Sequence, residues 1–314
     1  QRKALLTYGD LVAIGTIADV MPICDENRMI VSLGLKIIEA RPRYGIAALI
    51  EASSNKTSAA AAKKDITSTF IGFTIAPRLN AAGRMSNAAI AVELLLADDP
   101  DNAKIIAEEL CETNRLRQAE ENKIVDGALE KIEENWNLHI KEGGVIVLDD
   151  NEWQQGVIGI VASRITERYG MPSILITFDG SVPHLCDESP VDIGKGSGRS
   201  VEGFNLVTAL SECSDLLEKY GGHELAAGLS VRRGNLEAFR EKLNNYARPI
   251  LKNLERVQVL EADKVLSPKD VTLSFAREIN QHIEPCGPQN PTPVFILNDL
   301  TVTSVRGIGA GKHL

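Results

Sequence analysis

VIVLDDNEWQQGVIGIVASRITERYGMPSILITF, residues 145–178, is the stretch that decides the fold class. Residues 145–148 are a short apolar, β-prone run of the kind that forms a buried strand. Residues 157–168 carry apolar side chains at three- and four-residue steps, the period of a helix. Residues 173–178 return to a continuous apolar run that reads as a second strand. Strand, helix and strand in succession predict an α/β sheet.

The alternation continues downstream. After a Gly-rich stretch, the pattern predicts a helix over about 205–219, a strand at 229–231 and a helix over 236–247. From about residue 257 it turns strand-rich, with Pro and Gly turns, and ends in runs at 294–297 and 300–305. That is expected to be the start of a small β domain. Upstream, residues 101–135 form the clearest helix. Ala103, Ile106, Leu110, Ile124, Ala128 and Ile132 make an apolar stripe, and the opposite face is crowded with Glu, as in a connector between domains. Residues 10–17, DLVAIGTI, read as a buried strand running into Ala18, Asp19 and Val20. Asp25, Glu26 and Asn27 offer an acidic helix N-cap. Helical spacing follows through Ile38 and again over 46–52, and residues 53–65 suit a loop or weak helix.

A chain of 314 residues suggests two or three domains. Hydrophobic residues at 44% and charged residues at 25% are ordinary globular values and exclude a disordered chain. No apolar run is long enough to span a bilayer as a helix. The net charge is −9, which by itself argues against a nucleic-acid binder. The charge is uneven, however. Residues 108–134 carry nine acidic and four basic side chains, residues 66–92 carry two arginines and no acid, and residues 190–203 balance at zero. Five cysteines (Cys24, Cys111, Cys186, Cys213 and Cys286) show no CxxC pair. A disulfide framework or a structural zinc site is not expected, and a reducing cytosol is. The chain opens on Gln1, and an excerpt from a longer protein is expected.

Several positions could carry chemistry. Asp19 follows the apolar run at the edge where α/β sheets bind ligands, and its carboxylate suits a hard divalent cation; a turn or N-cap aspartate is the plainer reading. In APRLNAAGRM, residues 76–85, Arg78 and Arg84 stand among small residues with Asn80 between them. Guanidinium forks grip phosphate, although a helix-capping turn with solvated arginines reads as well. GKGSGRS, residues 194–200, alternates glycine with Lys195, Ser197 and Arg199. Its backbone N–H groups could face an anion, or it is a flexible turn. It is neither a Walker A loop nor a dinucleotide fingerprint. His223, after Gly221 and Gly222, could donate to a phosphate or a leaving group; a surface histidine is the alternative. Residues 307–312, GIGAGK, read as a hairpin turn. His139, His184, His282 and His313 have no partners at metal-ligand spacing.

Six stretches in order carry a resemblance. They are DLVAIGTIADVMP (10–22), IAPRLNAAGRM (75–85), GVIGIVASRI (156–165), GKGSGRSVEGFN (194–205), GGHELAAGLS (221–230) and PCGPQNPTPVF (285–295). Together they resemble the single-strand-specific exonucleases of the DHH phosphoesterase superfamily. The resemblance implies the C-terminal part of a DHH α/β catalytic domain over 1–100 and a connector helix over 101–140. It further implies a second α/β lobe, the DHH-associated substrate-binding domain, over 141–250, and the start of a β-barrel OB-fold over 251–314. It implies a metal centre of Mn²⁺ or Mg²⁺ with Asp19 as one ligand. Phosphate and DNA contacts are implied for Ser197, Gly198, Arg199, Gly222 and His223, with Asn80 and one of Arg78 and Arg84; His223 is also placed in catalysis.

The activity implied is metal-dependent 5′→3′ hydrolysis of single-stranded DNA, in DNA repair and recombination, in the cytoplasm. A single-strand-binding protein and a helicase are the implied protein partners, and no membrane is. The superfamily's Asp-His-His signature is absent, so this stretch alone is expected to bind metal poorly and to be inactive. Where many members carry a His before the Gly of GVIGI, Gln154 and Gln155 stand here, which removes a proton shuttle. Two other readings remain open at this point. One is a phosphodiesterase for short oligonucleotides or cyclic dinucleotides, and the other is a non-catalytic DNA-binding replication scaffold.

Overall fold

A computed structural model describes residues 2–54, 65–136, 140–178, 192–254 and 260–307. Most of the loop expected over 53–65, the hairpin turn expected beyond 307, and Cys186, His139, His184 and His313 lie outside the described residues. The chain divides into two compact units. One comprises residues 1–77, 97–104 and 258–314, and the other residues 78–96 and 105–257.

The first unit opens with α1 (Arg2–Ala18), α2 (Asp25–Ala40) and α3 (Tyr44–Ser53). The run at 10–17 is therefore helix, not strand. A short apolar run cannot separate the two by period alone. What decides it is α2, against which α1 lies closely. A Cβ at Gly34 would sit 2.3 Å from Ala13 Cβ and from the Gly9 carbonyl oxygen. Asp10 is buried on α1 and is held by Arg43 Nε at 2.7 Å. The N-cap of α2 is Cys24, with Asp25 and Glu26 in the first turn at the positive end of the dipole. A three-residue α4 (Ser68–Phe70) passes through a π turn, Ile71–Ile75, into α5 (Ala76–Met85). Beyond residue 260 the expected strand-rich pattern is mostly absent among the described residues. Two three-residue strands flank a helix, Leu273–Ile283, which Thr272 caps by accepting from the Phe275 N–H at 3.2 Å.

The second unit carries α6 (Ala89–Leu96) and most of α7 (Pro100–Glu134), followed by β1 (Ile146–Asp150), α8 (Gln155–Tyr169) and β2 (Ser173–Thr177). Next come β3 (Ile193–Arg199), α9 (Leu206–Ser211), β4 (Leu217–Gly222), β5 (Ala226–Arg232) and α10 (Leu236–Lys252). The five strands lie in the order β1-β2-β3-β5-β4. β1 and β2 are parallel and the other pairs antiparallel. Alternate residues feed two cores. Val147, Ile174, Ile176, Leu229 and Val231 meet α9 and α10, while Ile146, Leu148 and Leu175 meet α7 and α8.

The helix expected over 205–219 stops at Ser211, because the chain must return as β4 to pair with β5. The GKGSGRS stretch is neither a loop nor an anion-binding turn but the central strand β3, whose backbone ladders with β2 and β5. Its glycines serve packing. Cβ atoms at Gly194, Gly196 and Gly198 would meet Phe178, Leu229 and Leu206 at 2.7–2.9 Å. Large neighbours fill that face, so the strand carries glycine at every second residue and polar residues in between.

α7 and α8 are joined by an ion network centred on the buried Glu121. Glu121 holds Arg117 one turn away and Arg164 of α8 at 2.7 Å, and Asn114 Oδ1 accepts from Arg117 Nε at 3.1 Å.

Candidate phosphate-binding site

Because β3 alternates, Lys195, Ser197 and Arg199 share the face opposite the glycines. α8 crosses that face, and Gly159 makes room for them. A Cβ at Gly159 would lie 2.9 Å from Ser197 Oγ and 3.3 Å from Arg199 Nη2. Arg199 Nη1 donates to Ser197 Oγ at 3.3 Å and to the Gly198 carbonyl at 2.8 Å. The Gly198 contribution is thus backbone only, since its missing side chain belongs to the core.

A second close approach brings in α5. A Cβ at Gly156 would stand 2.2 Å from the Arg84 carbonyl oxygen, and Arg84 Nη1 donates to the Gly156 carbonyl at 3.2 Å. The last turn of α5 therefore rests on the first turn of α8. Two arginines are left side by side. Burial first, then the positive charge of Arg84, pull the Arg199 guanidinium below its ordinary pKa. Among the described residues, no carboxylate pairs with either one. A half-buried cation beside a like charge is an unfavourable arrangement that a bound anion relieves. Asn80, one turn before Arg84 on α5, is exposed. Arg78 is placed differently, its Nε donating to Cys111 Sγ at 3.3 Å.

His223 occupies the hairpin between β4 and β5, where its N–H donates to the Ala226 carbonyl at 2.8 Å. Gly222 makes that turn possible. Its φ is +147°, and a Cβ there would lie 2.4 Å from the Ala226 carbonyl oxygen. The ring of His223 is exposed.

A DHHA1 domain model matches residues 142–248 and a RecJ OB domain model matches residues 262–314. The single-stranded-DNA-specific exonuclease RecJ of Bacillus subtilis is 37% identical over 303 residues, covering 96% of this chain. The Haemophilus influenzae protein of the same name is 36% identical over 310 residues, covering 97%. Over nearly its whole length the chain is similar to RecJ proteins. It spans 36% and 51% of the length of those two relatives. Crystal structures of RecJ from Thermus thermophilus in complex with Mg²⁺ and with Mn²⁺ both superpose with a TM-score of 0.77. They are 33% and 34% identical, and the matches cover 92% and 93% of this chain and 41% and 40% of theirs.

The metal centre that the resemblance implies does not form from the described residues. Asp19 is exposed, just past the last turn of α1 rather than past a strand, and its N–H donates to the Gly15 carbonyl at 3.0 Å. No group of three or more His, Cys, Asp or Glu side chains that could hold a metal is found among the described residues. One carboxylate is too few for a cation that takes six or more oxygen ligands, so Asp19 alone does not complete such a centre. No described helix is long and apolar enough to cross a membrane.

The sequence reading missed Gly156 and Gly159, the two glycines that build the site. Their signal was present: GVIGI opens a helix with small residues at positions 156 and 159, one turn apart on one face.

Proposed function

We propose that this chain is the strand-gripping portion of a metal-dependent 5′→3′ exonuclease specific for single-stranded DNA. The observation that carries this reading is the Arg84–Arg199 pair over Ser197, two cations without a carboxylate partner among the described residues. Ser197 and Arg199, with Arg84, hold the 5′-terminal phosphate, and Asn80 and the exposed His223 contact the same strand. His223 is the residue placed to exchange a proton with the substrate. Asp19 is one donor to a Mn²⁺ or Mg²⁺ centre whose other donors the described residues do not supply.

In this reading residues 1–100 are the C-terminal part of a DHH catalytic domain and 101–140 a connector. Residues 141–250 form the DHH-associated substrate lobe and 251–314 part of an OB-fold. The OB match favours long single strands over short oligonucleotides or cyclic dinucleotides. The setting is cytoplasmic DNA repair and recombination, on strands exposed by a helicase and coated by a single-strand-binding protein.

The test is a nuclease assay with Mn²⁺ on single strands labelled at the 5′ or the 3′ end, and on duplex, using the protein that contains this chain. Progressive loss from the 5′ end of single strands is expected. Degradation from the 3′ end, or equal attack on blunt duplex, refutes the proposal.

A further inference from the structure

The sheet face that carries Ser197 and Arg199 continues past them. Residues directly opposite on antiparallel strands project to the same side. Lys195 on β3 is opposite Ser230 on β5, and Ser230 is opposite Lys219 on β4. The row Lys195–Ser230–Lys219 lies two residues, about 6.8 Å, along the strands from the row that holds Ser197. Lys195 Nζ donates to the buried Ser230 Oγ at 3.0 Å.

Beyond Ser197 its own row is bare, because Gly228 stands opposite Ser197 on β5. Gly228 faces Gly221, and a Cβ at Gly221 would meet nothing within 4 Å. The result is an open cavity of about 360 Å³, bordered by Gln155, Lys195, Ser197, Lys219 and Ser230. No carboxylate lines it, and among the described residues neither lysine is paired with one. Gln155 is the first residue of α8, so the positive end of that helix borders the same space. A lysine on an edge strand such as β4 can serve only to block edge pairing. That explanation does not extend to Lys195, which stands mid-sheet between β2 and β5.

We propose that Lys195, Lys219 and Ser230 form a second phosphate subsite, one nucleotide along the strand from the Arg84–Ser197–Arg199 grip. The proposal rests on the phosphate reading of that grip. The two-residue repeat of β3 is comparable to the spacing of successive phosphates in an extended single strand. A strand laid along β3 places one phosphate over Ser197 and the next between the two lysines.

The test compares 5′-dTMP, the 5′-phosphorylated thymidine dinucleotide and a 5′-phosphorylated single-stranded 12-mer. Binding to the wild type, to the Lys195→Gln/Lys219→Gln double variant and to Arg199→Ala is followed by competition anisotropy over a salt series. The double variant is expected to bind 5′-dTMP like the wild type but to lose the affinity gained on adding the second nucleotide. Its salt slope on the 12-mer should flatten by about 0.7, the value for one phosphate on a single strand. A Lys195→Arg/Lys219→Arg variant should restore the slope. If the Gln variant keeps the full dinucleotide gain and the wild-type slope, or loses 5′-dTMP equally, the second subsite is refuted. If Arg199→Ala leaves 5′-dTMP binding unchanged, the underlying grip fails instead.

Discussion

Gly156→Ala probes the site through a single methyl group. The added Cβ would lie 2.2 Å from the Arg84 carbonyl oxygen and 3.0 Å from its carbonyl carbon. Both atoms are backbone, so no side chain can swing aside. Ordinary contact begins at 3.4 Å, and the last turn of α5 must therefore retreat by about 1.2 Å. Overpacking of this kind costs about 1–3 kcal/mol. In a unit of this size that lowers the melting midpoint by about 2–12 °C. The retreat also takes Arg84 out of hydrogen-bonding reach of an anion on Arg199. One phosphate contact is lost, and the salt slope for single-strand binding should flatten by about 0.7. Gly83→Ala is the control. Its Cβ would meet only Ala88 Cβ at an unstrained 3.6 Å, and alanine in a helix is favoured over glycine by about 1 kcal/mol. Gly83→Ala should thus melt at or above the wild-type temperature with an unchanged slope. Thermal denaturation followed by circular dichroism, paired with anisotropy over a salt series, measures both quantities. A Gly156→Ala protein with wild-type melting and a wild-type slope would refute the proposed seating of Arg84.

Gly222→Ala forces a side chain onto a left-handed backbone against the Ala226 carbonyl; a cost of about 1–3 kcal/mol should appear as a lower melting midpoint. Glu121→Ala leaves Arg117 buried without its partner, and the loss should reach about 3–5 kcal/mol in denaturant titration. Cys213 is fully buried, and burial pushes its thiol up to about 11. Mass spectrometry after iodoacetamide at pH 8 should find it unlabelled in the native protein and labelled after unfolding.

The sequence was most legible where period and length agreed. The stripe Ala103, Ile106, Leu110, Ile124, Ala128 and Ile132 is buried on α7 as expected, and residues 145–178 fold as strand, helix and strand. It was least legible where an element is defined by its neighbour. DLVAIGTI reads as a strand until α2 is there to seat Gly34 against Ala13. LLEKYGG becomes strand rather than helix only because β5 offers it a partner. GKGSGRS illustrates both sides of this. Its phosphate-type residues can be picked out by composition, but its alternation reads equally as an anion-facing backbone or a flexible turn. The glycines were in fact making room for Phe178, Leu229 and Leu206 in the neighbouring core. Arg78 and Arg84 could not be ranked from sequence, because only the approach of α5 to Gly156 distinguishes them.

The proposed grip depends on Arg199 holding the terminal phosphate of a single strand. The most direct measurement is the salt dependence of binding for two otherwise identical single-stranded 12-mers, one with a 5′-phosphate and one with a 5′-hydroxyl, to the wild type and to Arg199→Ala. The wild type should prefer the phosphorylated strand and show the steeper slope on it, and Arg199→Ala should bind both strands alike. An Arg199→Ala protein that keeps the wild-type preference and slope would contradict the account.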